Sequence, residues 1–169
     1  MTARARRARS SFFPPQLVFS QLTMAIRTRT ARILLTLTGL EFLGPIARDF
    51  NASHAMNPAW VGHARLHLVW LLGFMLFSGI ANIYLLWFRR PFDVRDLRLS
   101  AAWQCCNLGG FWLAALLTPV YGGLVRVPDE HIQVLGLNEN VLVFAVLSIM
   151  MAIAIYLLRS ADGGSHATR

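Results

Sequence analysis

The sequence predicts an all-α integral membrane protein, an antiparallel bundle of four transmembrane helices. Three observations carry that expectation. The chain has 169 residues, of which 56% are hydrophobic and only 14% charged, less charge than a soluble domain of this size normally carries. Its apolar residues fall into separate runs, each near the roughly 20 residues that a helix needs to cross a bilayer. Its arginines gather at the N-terminus and in one short connection between the runs, as topology signals do.

Residues 1–30 are basic and are expected to be disordered. No compact apolar core with a small-residue cleavage site follows the first arginines, so no cleavable signal peptide is read. Met24 is an alternative start, because MAIRTRTARILL is an ordinary entry into a first membrane helix. The first span is expected over about 31–50, interrupted by Glu41 and Pro45. The second, 66–88, is rich in Leu, Phe and Trp. The third, 99–121, contains Gly109, Gly110 and Pro119. The fourth, 140–158, is nearly uninterrupted, and 160–169 read as a disordered tail.

Arginine placement sets the expected orientation. Arg27, Arg29 and Arg32 precede or open the first span, Arg89, Arg90, Arg95 and Arg98 follow the second, and Arg159 follows the fourth. The other connections carry few: Arg48, Arg65 and Arg126. Both termini are then cytoplasmic, in a bacterial inner membrane, and connections 51–65 and 122–139 face outward. The net charge of +8 is thereby assigned to topology and not to nucleic acid. The absence of lysine points to a GC-rich genome, a codon effect. Cys105 and Cys106 are adjacent and give no disulfide framework.

The second helix is expected to start early, with Asn57 as N-cap and Pro58 at the first helical position. Run to Phe88, it would be about 46 Å long. On it Trp60, His63, His67, Trp70 and Phe74 fall on one stripe. Two imidazoles four residues apart can share a metal ion, as in zinc proteases, but that motif needs a glutamate where this chain has Ala64. Such a site needs a third ligand, for which His54 is a candidate with His63 and His67, and a divalent metal is the candidate cofactor. Asp49, Glu130, His131 and Glu139 are the other candidates on the same side. The bland reading makes the histidines interfacial groups bonded to carbonyls or headgroups.

Glu41 lies inside the first apolar run. An ionisable group there is costly and marks a functional site by default, with proton donor or shuttle as its role. The bland reading is a structural carboxyl bonded to Thr38 or a neighbouring helix. Asn82, Gln104 and Asn107 are read as interhelical hydrogen-bonding groups, and Gly73 and Gly79 as the packing side of the second helix.

Residues 49–70, DFNASHAMNPAWVGHARLHLVW, hold a His, an Asn-Pro-x-Trp and a His-Ala-Arg-x-His at His54, Asn57, Pro58, Trp60, His63, Ala64, Arg65 and His67. The segment resembles one in small four-helix integral membrane proteins. That resemblance implies the fold and carries no activity. A fainter similarity, to membrane sterol isomerases, is fold-level analogy.

These residues point to a polar site at the outer face: His63, His67 and Glu41 as catalytic groups, with Trp60, Trp70 and Phe74 stacking on a lipophilic small molecule. The reaction would be isomerase- or oxidoreductase-like. The competing classes are a non-catalytic accessory or assembly subunit and a small ion or metal carrier. Beyond the lipid bilayer and that small molecule no partner is read, and oligomeric state is not legible.

Overall fold

The computed structural model describes residues 15–125, 133–134 and 137–166. In chain order these form α1 (Pro15–Thr38), a 3-10 turn (Gly39–Phe42), α2 (Gly44–Asp49), α3 (Gly62–Ile83), a π turn (Tyr84–Phe88), α4 (Val94–Leu116), the one-turn α5 (Thr118–Tyr121) and α6 (Glu139–His166). Between α5 and α6, β1 (Gln133–Val134) and β2 (Leu137–Asn138) form a minimal antiparallel ladder. The other described residues are mostly helical, apart from turns such as those over 50–61.

Among the described residues, three helical stretches are long and apolar enough to cross a membrane: Val18–Asp49, Gly62–Phe88 and Glu139–Ser160. The outside is apolar as well. Trp70, Phe77, Leu116, Val120 and Tyr156 are each more than half exposed, a surface that a soluble monomer would not leave bare. The chain is therefore read as a membrane protein.

α1 starts at Pro15, so 15–30, expected to be disordered, are helical. Its threonines do not break it, because Thr23 and Thr36 turn their hydroxyls back onto Phe19 O (2.9 Å) and Arg32 O (2.8 Å). The helix changes pitch at Gly39. Pro45 has no N–H, so an uninterrupted α-helix would leave the Glu41 carbonyl without its donor. The chain tightens into a 3-10 turn and restarts as α2, with Pro45 in its first turn.

The second helix begins at Gly62, not at Asn57. Asn57 closes a separate turn: its Oδ1 accepts Ala59 N at 2.9 Å and its carbonyl accepts Trp60 N at 3.2 Å. Trp60 therefore stands before the helix and not in its first turn. The region expected as a third span is α4, capped by the Asp93 side chain on Arg95 N at 2.8 Å. α4 is not among the three apolar stretches, because Asp96, Ser100, Gln104 and Asn107 dilute it. The tail is helical to His166.

The core joins α1, α4 and α6 through Ala31, Leu35, Leu97, Ala101, Met151, Ala154 and Leu158. Ala31 and Ala154 are fully buried, small enough for α1 and α6 to run close. Phe111 of α4 stacks on Phe144 of α6 with centroids 3.6 Å apart, and Trp112 Nε1 donates to Ser148 Oγ at 3.0 Å. α3 meets the 3-10 turn at Gly79, where a Cβ would come within 3.3 Å of Phe42 Cβ. Gly73 has open space around its Cβ position, so Gly79 alone of the expected pair marks the packing side.

Candidate functional site

Residues 50–61 fold on themselves before α3. Asn51 Oδ1 accepts Ser53 N (2.9 Å), Ser53 Oγ (2.8 Å) and His54 N (3.2 Å), and Asn51 Nδ2 donates to Arg48 O at 2.6 Å. This knot orients His54. Its Nδ1 meets Ser53 Oγ at 2.8 Å, its Nε2 lies 4.0 Å from Asp49 Oδ1, and its ring meets Trp60 edge-on at 5.7 Å. Arg48 pairs with Glu139 at 3.0 Å and ties α2 to the start of α6.

The first turns of α3 carry the histidine pair. His63 Nε2 and His67 Nε2 are 2.9 Å apart, with the rings nearly perpendicular at 4.5 Å. One nitrogen donates and the other accepts, so the pair holds a single proton between two lone pairs. His67 also lies 5.9 Å from the Trp70 ring. His63 and His67 are exposed, as are Trp70 (69%) and Phe74 (54%). The stripe therefore faces away from the bundle. α3 packs through Leu72, Met75, Ser78, Gly79 and Asn82 instead.

Metal ligation has a geometric test. With metal–nitrogen bonds of about 2.0–2.1 Å, two nitrogens subtending 90° are about 2.9 Å apart and two in tetrahedral array about 3.3 Å. The observed 2.9 Å fits a cis pair of ligands. No group of three or more His, Cys, Asp and Glu among the described residues is arranged to hold a metal ion. His54 is engaged with Ser53, Asp49 and Trp60, and does not complete a three-histidine set. Asp129, Glu130 and His131 lie outside the described residues.

Glu41 occupies a different environment. It sits in the 3-10 turn, 3% exposed, and neither carboxyl oxygen has a hydrogen-bond partner among the described residues. Asn107 of α4 is the side chain that interacts with it. Thr38, the partner suggested by the sequence, turns elsewhere: its hydroxyl meets Gln104 Oε1 and the Leu34 and Leu35 carbonyls. The structure thus joins His63 to His67, and His54 to Trp60, while the buried Glu41 stands apart from the exposed histidines.

Between α1, α3 and α4 runs a buried hydrogen-bond network. Gln104 Nε2 donates to Leu35 O at 2.9 Å and reaches Ser100 Oγ at 3.1 Å. Ser100 Oγ donates to Asn82 Oδ1 at 2.6 Å, and Asn82 Nδ2 donates to Ser78 O at 2.9 Å. The roles read for Asn82 and Gln104 are thereby filled. Ser78 and Ser100 escaped the sequence reading, although Ser78/Asn82 and Ser100/Gln104 are both spaced by one helical turn.

Two shallow recesses lie against α6. One, of about 180 Å³, is lined by Phe111, Thr118, Tyr121 and Asn140 among others. The other, of about 240 Å³, is lined by Cys105, Leu108, Ser148 and Met151 among others. Neither contains His63, His67 or Glu41. The histidine site is a surface on a helix, not a lined cavity. Comparisons with protein families, characterised proteins and solved structures yield no match.

Proposed function

We propose that this chain is a four-span antiparallel membrane bundle, with both termini cytoplasmic in a bacterial inner membrane, that binds a lipophilic small molecule at its outer face. The observation that carries the reading is the His63–His67 pair, 2.9 Å apart beside exposed Trp70 and Phe74. A molecule lying in the bilayer edge would meet this stripe laterally, place a polar head against the imidazoles and stack its apolar part on the rings. Two rings that share one proton provide an acid and a base side by side, which suits an isomerase-like proton transfer.

α4 supports the fourth span. Its 23 residues reach about 35 Å, enough for the hydrocarbon core. Asp96, Ser100 and Gln104 are buried, while Leu99, Leu113 and Leu116 are exposed. Its polarity is thus turned inward and its lipid-facing side is apolar. The arginines at both ends of the π turn–α4 connection support the orientation. Single cysteines placed at Ser53, Arg95 and Asn140 in a Cys-free background test it. An impermeant maleimide added outside should label positions 53 and 140 and leave 95 unlabelled.

Binding is tested on the full chain in lipid nanodiscs. Brominated amphiphiles with hydrogen-bonding heads should quench tryptophan emission, and the His63→Ala/His67→Ala double variant should lose that quenching while still inserting. Equal quenching in both proteins would sink the reading. A second reading, a divalent-metal site, is favoured by the cis-ligand spacing of the two nitrogens. It requires ligands from the bound molecule or solvent beside the pair.

A further inference from the structure

One buried assembly is used neither by the outward histidines nor by the apolar core. It begins at the end of the bundle that carries Arg89. Asp96 is 5% exposed; its Oδ1 pairs with Arg89 at 3.0 Å and its Oδ2 has no hydrogen-bond partner among the described residues. Ser100 and Gln104 follow at one-turn intervals, both fully buried, and Asn107 comes three residues later. Spacings of four, four and three keep these side chains on one face of α4. Asn82 of α3 and Thr38 of α1 bond into the same file.

Glu41 closes the file at its far end, touching it through Asn107. From Asp96 to Asn107 α4 rises about 16 Å, roughly half of a ~30 Å hydrocarbon core. A carboxyl kept for structure would be hydrogen-bonded at that depth, because an unpaired polar group there is costly in either form. Neither Glu41 oxygen meets hydrogen-bond geometry with a described residue, and the Asn107 side chain is what interacts with it. It also stands at the break between α1 and α2, and interrupted membrane helices are where ion sites form. Cys105 of α4 is a titratable neighbour of Glu41.

We propose that Glu41 is a proton-binding site reached from the Arg89–Asp96 end of the bundle along the face of α4 that carries Asp96, Ser100, Gln104 and Asn107. The step is a reversible protonation. A hydronium or buffer acid at the Arg89–Asp96 mouth gives up a proton, and an O–H bond forms on one Glu41 oxygen. Release reverses both changes. Asn82 and Thr38 are positioning residues that hold the amide of Gln104 and the hydroxyl of Ser100 in line.

The experiment is infrared difference spectroscopy after a pH jump, on the full chain in nanodiscs. A protonated-carboxyl C=O band should appear on acidification, shift in D2O and vanish in Glu41→Gln. In Gln104→Leu the band should rise on the order of tenfold more slowly, the rate cost of about one lost hydrogen bond in the path. Ser100→Ala, a smaller change, is read in the same way if Gln104→Leu does not fold. Three results would overturn the proposal: no Glu41-dependent band, a band that rises equally fast in the folded variant, or a band governed by sodium concentration at constant pH.

Discussion

Replacing Gln104 by leucine removes the hub of the buried network at nearly constant volume. The Gln104 side chain ties α4 to α1 through Leu35 O and Thr38, and its reach to Asn82 is longer, at 3.4 Å. No partner is left orphaned by the change. Thr38 Oγ1 keeps Leu34 O at 3.1 Å, and Asn82 Oδ1 keeps Ser100 Oγ at 2.6 Å. The cost is then that of two interhelical bonds, which average about 0.6 and reach about 1.7 kcal/mol each in bilayers, so a loss of about 1–3 kcal/mol is expected. Leucine fills nearly the same space, so no large cavity term is added. Reversible unfolding in bicelles by SDS titration measures the loss. A double-mutant cycle with Thr38→Val should return a coupling of about 0.5–1 kcal/mol. A loss below about 0.5 kcal/mol, or strictly additive single variants, would refute the view that this network holds α1 to α4.

Arg89→Ala should destabilise by about 1–3 kcal/mol in the same assay, because Asp96 stays buried without its partner while the half-exposed arginine itself adds little. Asp96→Asn in the Arg89→Ala background should recover most of that loss. Gly79→Leu should cost about 1–3 kcal/mol, since even a Cβ meets Phe42 at 3.3 Å, whereas Gly73→Leu should be nearly neutral. If the histidine pair ligates metal, isothermal titration with zinc should show one site that either His63→Ala or His67→Ala abolishes; unchanged binding would remove the metal reading.

Hydropathy was the most legible layer, because the bilayer acts on composition directly. The expected spans at 66–88 and 140–158 lie inside Gly62–Phe88 and α6. The start of α3 was less legible for a local reason. Asn57 offers one side-chain acceptor, which serves equally for a helix cap and for a closed turn; Ala59 N takes it and the turn wins. His63, His67, Trp70 and Phe74 were legible as one stripe on α3, and its direction was not. Periodicity says which side chains share a face, but in lipid both faces of a helix are apolar, so no polarity contrast says which one is inside. The separation of Glu41 from the histidines was hidden for the same reason, since it depends on how α3 is rotated. The burial of Glu41 itself was legible, because a carboxyl in an apolar run has few places to go.

The 3-10 turn at Gly39–Phe42 also sets a length. Four residues at about 2.0 Å rise extend roughly 2 Å further than the same four wound as α-helix at about 1.5 Å. Pro45 prevents the rewinding by withholding its donor from Glu41. The distance from α1 to the Arg48–Glu139 clasp is thus held by a fixed spacer, and with it the height at which the knot of residues 50–61 stands above the bundle. A residue with an N–H at position 45 would let the spacer retract like a turn of a screw, lowering that knot and dragging Glu41 out of register with Asn107.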